Sequence, residues 1–218
     1  MNRKLAAIAV GLALSAPVFA ENSNTAITQN GDANFAAVEQ SYAFYSSASV
    51  DQNGYGNKVG TQNEGQQLFY GIRQLSVSNA VASISQYGEI NQAGILQSLG
   101  GDHQTAQITQ GGSDCSSGTC QMIYSHNNFA GVTQMNNASN STANIWQYGD
   151  NNNAGITQNY GASEAAITQS GYHNSASTWQ FLTGSYGPNV ATITQYGNAN
   201  YAYASQTGSA NSVNIKQH

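Results

Sequence analysis

Glutamine is the residue whose type and spacing could do chemistry in this chain. Its amide carries two donors and an acceptor, so a column of glutamines can bond side chain to side chain without end. Gln29, Gln40, Gln52, Gln86, Gln97, Gln110, Gln134, Gln147, Gln158, Gln169, Gln180, Gln195, Gln206 and Gln217 recur, mostly 11 to 13 residues apart once Asn63, Gln74 and Gln121 complete a series of seventeen. The chemistry is recognition of like by like. A buried amide left unpaired costs about 1–3 kcal/mol, and a stack removes that cost by using donor and acceptor together.

Other reactive residue types form no such array. His103, His126, His173 and His218 share no register, and the carboxylates are dispersed, with no pair set for acid–base work. Cys115 and Cys120 have no neighbouring histidine pair and make a poor zinc site. In a regular strand five residues span roughly 17 Å, far beyond the ~7 Å reach of a disulfide. The intervening Ser-Ser-Gly would allow a bulged loop, so a Cys115–Cys120 bridge stays open. No catalytic, metal or cofactor-binding residue is nominated, and no enzyme activity is expected.

The elements that must hold the glutamines follow from what precedes them. Two residues earlier, thirteen of the seventeen places are Ile or Val, and four earlier twelve are Ala. Six earlier stands Asn or Ser in most, as at Ser23, Asn34, Ser46, Asn57, Asn91, Ser141 and Asn152. Side chains two apart share one face of a strand, so these rows predict short strands with one inward and one wet face. Gly31, Gly88, Gly149, Gly171, Gly197 and Gly208 follow a glutamine by two residues, and Asn34, Asn91, Asn152, Asn174, Asn200 and Asn211 by five. They mark tight turns. A strand of six residues buries its apolar side only by stacking. The expected fold is all-β, a two-sided β-solenoid of about 17 short strands with cross-β stacking. That is roughly eight and a half coils, on the order of 40 Å at ~4.8 Å per coil. Both ends resemble the interior, so they should template further copies.

Residues 1–20, with Arg3 and Lys4 before an apolar run and Val18-Phe19-Ala20 at its end, have the form of a secretory signal peptide. The repeat domain would be 21–218. It carries Lys58, Arg73 and Lys216 against ten acidic residues, a formal charge of 3 − 10 = −7, so no basic patch can form for nucleic acid. Nor does any feature point to a small-molecule substrate. Asn and Gln make up about a fifth of the chain.

Ser141, Gln147, Gly149, Asn152, Ala154 and Gln158 form a Ser-x5-Gln-x-Gly-x-x-Asn-x-Ala-x3-Gln pattern. So do Ser163, Gln169, Gly171, Asn174, Ala176 and Gln180, and Ser23, Gln29, Gly31, Asn34, Ala36 and Gln40. The Gln86–Gln97 and Gln195–Gln206 units lack only the serine, having Ala80 and Asn189 there. This pattern resembles the curlin repeat of curli subunits. The resemblance implies a subunit of an extracellular functional amyloid fibre, a bacterial fimbrium serving adhesion and biofilm matrix. It further implies other copies of the same chain, a nucleator subunit, an outer-membrane secretion pore and periplasmic chaperones as partners. The chain is more similar to the major subunit than to the nucleator. It departs from the family in having more coils, in repeats that begin almost at Glu21 without the usual leader, and in a middle, residues 63 to 134, that fits loosely. The alternative from another class is a secreted monomeric β-solenoid gripping ice or carbohydrate with outward threonines. Tyr87, Tyr148, Tyr196, Trp146 and Trp179 would lie outward and stack between coils.

Overall fold

Rows of Ala, Ile or Val, and Gln give each strand a narrow apolar face, which needs a second face of the same kind to cover it. The computed structural model describes residues 22–60, 71–114, 121–183 and 187–218. It is a β-solenoid: two parallel sheets whose inner faces meet, with successive rungs alternating between them. The first sheet has eight rungs: Asn24–Asn30, Ser47–Tyr55, Val81–Glu89, Thr105–Gln110, Thr142–Asp150, Ser163–Tyr172, Asn189–Asn198 and Ser212–Gln217. The second has seven, beginning with Phe35–Ala36 plus Val38–Phe44 and ending with Tyr201–Gly208.

Neighbouring rungs pair in register, so like sits on like. Ile84, Ile108, Ile145, Ile167, Ile193 and Ile215 form one column of the first sheet. All but Ile215 are fully buried, and each buried isoleucine is worth about 1.5–3 kcal/mol. The alanines beside them, among them Ala106, Ala130, Ala143 and Ala154, are fully buried too and let the sheets approach.

Two excursions break the rungs without breaking the columns. Lys58–Val59 and Ile72–Ser78 are halves of one rung, because Val59 pairs with Ala93 while Ile72 pairs with Ile95. The coil from Gln52 to Gln86 is 34 residues against 23 for the coil before it, so this excursion adds 34 − 23 = 11. It leaves and returns at one point: Gly60 donates to Ala93 O, and Gly71 O accepts from Ile95. The second lies between Gly111 and Ser125. Ser125 pairs with Gly88, continuing the rung that Thr105–Gln110 began. The coil from Gln110 to Gln147 is 37 residues against 24 from Gln86 to Gln110, an addition of 37 − 24 = 13. Within it Gly112–Asp114 and Gln121–Ile123 pair antiparallel.

These excursions correct the expected count. Gln121 pairs with Asp114 in the hairpin and is no ladder rung. Asn63 lies outside the described residues. Among the described residues fifteen rungs stack in the two sheets, or seven and a half coils against the eight and a half expected. The additions of 11 and 13 residues equal the spacing between successive glutamines, so by period alone each passes for a strand. Cys115 and Cys120 also lie outside the described residues.

Candidate assembly site

The glutamine column of the first sheet runs Gln29, Gln52, Gln86, Gln110, Gln147, Gln169, Gln195, Gln217. In each step Nε2 of the earlier residue donates to Oε1 of the later one, at 2.7–2.9 Å. The second column runs Gln40, Gln74, Gln97, Gln134, Gln158, Gln180, Gln206, at 2.7–3.0 Å. Interior members are fully buried. Every bond points from the lower-numbered rung to the higher, so the ladders have a direction. Gln206 and Gln217 end them with donors, and Gln29 and Gln40 begin them with acceptors.

Spacing gives no hint of what the second amide hydrogen does. It crosses to the facing sheet: Gln52 donates to Phe35 O, Gln86 to Lys58 O, Gln147 to Phe129 O and Gln169 to Asn153 O, at 3.0–3.2 Å. Each interior glutamine thus bonds along the stack and across it. That leaves none of these ladder amides with an unpaired N–H, which low dielectric would make expensive.

Asparagine forms a third column at the turn leading from the first sheet to the second: Asn34, Asn57, Asn91, Asn128, Asn152, Asn174, Asn200. The backbone N–H of each later member donates to Oδ1 of the one before, at 2.8–3.1 Å. In the interior coils Nδ2 reaches a carbonyl one coil on, as Asn57 to Gly88 O, Asn91 to Ser125 O and Asn152 to Gly171 O, while Asn200 at the end donates to Tyr196 O. Asn34, Asn91, Asn152, Asn174 and Asn200 stand where the spacing put them. Asn57 also follows an intact Gln52-x-Gly54-x-x-Asn57 run; Asn128 belongs equally, but the excursion before Ser125 interrupts its signature. Gln74 likewise joins the ladder, its alanine place filled by Val59 across the gap. Gly31, Gly88, Gly149, Gly171 and Gly197 line the turn with φ from +90° to +127°. At Gly171 the requirement is doubled: φ is +127°, and a Cβ would collide with Gly197 O one coil away.

Gly208 and Asn211 occupy the other turn column, leading from the second sheet back to the first. Elsewhere that column is built differently: Ser46, Ser141 and Ser163 take the inward place, with Ala80 and Gln104 as exceptions. Gln104 is fully buried, and neither amide atom has a partner. Near the end the column changes character: Asn211 N donates to Asn189 Oδ1 at 3.1 Å, as in the asparagine column opposite.

Charges stay on the wet faces. Arg73 meets Glu39 at 2.8 Å. Asp102 is half-exposed; the hydrogen bond from Asn79, followed by bonding and charge from His103, holds its carboxyl below the usual range. Burial, then the hydrogen bond to Asp51 (3.0 Å) and that carboxylate's charge, hold the Tyr87 phenol above its ordinary value. Of the outward rings, Tyr196 stacks on His218 one coil away at 5.6 Å, and Trp179 stacks on Phe181 of its own strand at 5.9 Å.

The family model described as curlin associated repeat matches residues 20–54 and 189–218. These are the two ends of the stack, and they contain Gln29, Gln40, Gln206 and Gln217. No curated protein matches the chain.

Proposed function

Since the chain belongs to the curlin family, whose repeats make curli-type fibre subunits, we propose that it is the main structural subunit of an extracellular amyloid fibre used for adhesion and biofilm matrix. The observation that carries this reading is the direction of the two glutamine ladders. Both end in donors on one side of the stack and in acceptors on the other, so the sheet edges of one copy complement those of the next. Ile27, Val38, Val213 and Ile215 at these edges are only partly buried, and a second copy would cover them. In this reading residues 1–20 direct export and are removed, and 21–218 form the repeat domain. A nucleator, an outer-membrane pore and periplasmic chaperones act with it. The regular last coil, which pairs in register with the coil before it, supports the main-subunit role over the nucleator. The ice- or carbohydrate-binding alternative has less support, because its threonine array is interrupted. The outward row of the first sheet reads Thr28, Asp51, Ser85, Thr109, Trp146, Thr168, Thr194, Lys216.

The test is incubation of residues 21–218 at micromolar concentration. Thioflavin-T fluorescence rising after a lag, with fibres diffracting near 4.8 Å on the meridian, is the expected result. A chain that stays monomeric for days overturns the reading. Gln217→Ala should slow seeded elongation more than Gln134→Ala, because only edge rungs recruit.

A further inference from the structure

Fifteen rungs is an odd number, and this constrains how two copies can join. The described stack begins with a rung of the first sheet, that of Gln29, and ends with another of the same sheet, that of Gln217. If a second copy were stacked without rotation, its Gln29 rung would cover Gln217. In the second sheet, Gln206 and the next copy's Gln40 would then stand two rungs apart, with nothing described to fill the gap. If the second copy is turned by half a revolution about the stacking axis, its Gln29 rung follows Gln206 and its Gln40 rung follows Gln217. No level is skipped in either sheet. The rotation also preserves strand direction, because the two sheets run oppositely across the axis.

Three further observations favour the half-turn. The first is hydrogen-bond polarity: the donors Gln206 and Gln217 then meet the acceptors Gln29 and Gln40 two for two, continuing both ladders in their own direction. The second is charge. In the rotated join Gln217 pairs with the next copy's Gln40, so Lys216 faces that copy's Glu39. Within the chain Glu39 already pairs with Arg73 in the same row, at 2.8 Å. Without rotation Lys216 faces Thr28. The third is turn geometry. The half-turn sets the Gln29–Asn34 turn on the Gln206–Asn211 turn. Gly31 and Ala33 have φ of +103° and +58°; Gly208 and Ala210 have +106° and +57°. The same places in earlier turns of the Gly208 column are held by non-glycines, such as Tyr42 at +50° and Leu99 at +65°. So the last turn of that column has the conformation of the first turn of the opposite column, and rotation brings the two together.

We infer that the partner surface of this chain is a second copy of itself turned by half a revolution, so that the fibre has a two-fold screw. The inference rests on the fibre-subunit reading. Each subunit would then rise by seven and a half coils, about 36 Å, whereas an unrotated join that skips a level would rise by eight, about 38 Å.

Helical reconstruction of wild-type fibres by electron cryomicroscopy tests this directly. A rotation near one half-turn per subunit is expected, and a rotation near zero overturns it. Cysteine pairs give a second reading, with Cys115→Ser and Cys120→Ser as background. Ser205→Cys with Thr28→Cys should form intermolecular disulfides in oxidised fibres, because the half-turn makes these two residues outward neighbours within bridging distance. Lys216→Cys with Thr28→Cys should not, since the half-turn puts them on opposite sides. The reverse pattern overturns the inference while leaving the fibre reading intact. Absence of fibres from the wild-type chain defeats both.

Discussion

The half of the stack below Ser125 and the half above it differ in how their strands are made, yet not in what they bury. Above, coils repeat every 22 to 26 residues and the inward rows are nearly uniform. Below, one rung is split by eleven residues and another extended by thirteen. The ladder bonds are nonetheless as short there: Gln74 to Gln97 and Gln86 to Gln110 are both 2.8 Å. What a coil must conserve is the phase at which the chain returns, because the glutamine, isoleucine and alanine columns depend only on inward positions. Between returns the chain can leave the outward side freely, since loop length adds entropy cost only slowly.

The largest expected effect distinguishes stacked from unstacked turns. Gly171→Ala forces a side chain onto the carbonyl of Gly197 and should cost about 3 kcal/mol or more. Gly112→Ala, at the hairpin excursion, has a similar φ of +126° but nothing within 3.9 Å of the added methyl. It should cost about 1–2 kcal/mol from the backbone alone. Guanidinium midpoints of the two variants check the order, and equal losses would mean that coil-to-coil contact at the turn contributes nothing.

Next comes the ladder itself. Gln147→Ala leaves Gln110, Gln169 and Phe129 O each short of a partner, a loss of about 3 kcal/mol. Gln86→Ala in the lower half should cost the same within about 1 kcal/mol, because its partners are equivalent. A much milder Gln86→Ala would show that the excursions loosen the column they leave.

Smaller gains are expected where a polar atom is buried without a partner. Gln104→Met keeps the volume and removes two unpaired amide atoms, and should stabilise by about 1–3 kcal/mol. In the upper half, Thr178 puts an unpaired hydroxyl in an isoleucine place, and Thr178→Val should gain about 1 kcal/mol. Thermal denaturation of the two variants ranks the defects. The smallest effect concerns pH. The phenol of Tyr87 has its pKa raised in the folded chain, so its contribution is complete below pH 10.0 and is lost as pH rises through the folded value. Tyr87→Phe should flatten the fall in stability above pH 10.0, and an unchanged slope would remove that linkage.

The sequence made the columns legible because period two along a strand and a return of about eleven residues leave few other folds. The miscount came from Asn63 and Gln121, which keep time with the repeat while their rows do not. Thr61 and Thr119 stand in the isoleucine places, and Val59 and Ser117 in the alanine places. Those substitutions were the available signal that these two rows depart from the repeat. The amide bonds across the stack were illegible, because nothing in spacing along one strand tells which carbonyl of the facing sheet lies within 3 Å. The kinship between the first and last turns was visible as two Gln-x-Gly-x-x-Asn runs. Its meaning needed the backbone angles and the parity of the rungs.

The uniform sense of the glutamine bonds has an electrical consequence. Each side-chain amide is a small dipole, and a file of them aligned head to tail polarises its members, so that bonds in a long file are stronger than bonds in a short one. A fibre made of such files would carry a slight positive pole where the N–H groups lead and a slight negative pole where the carbonyls do. Its two tips would then differ in their attraction for ions and in the speed at which they grow.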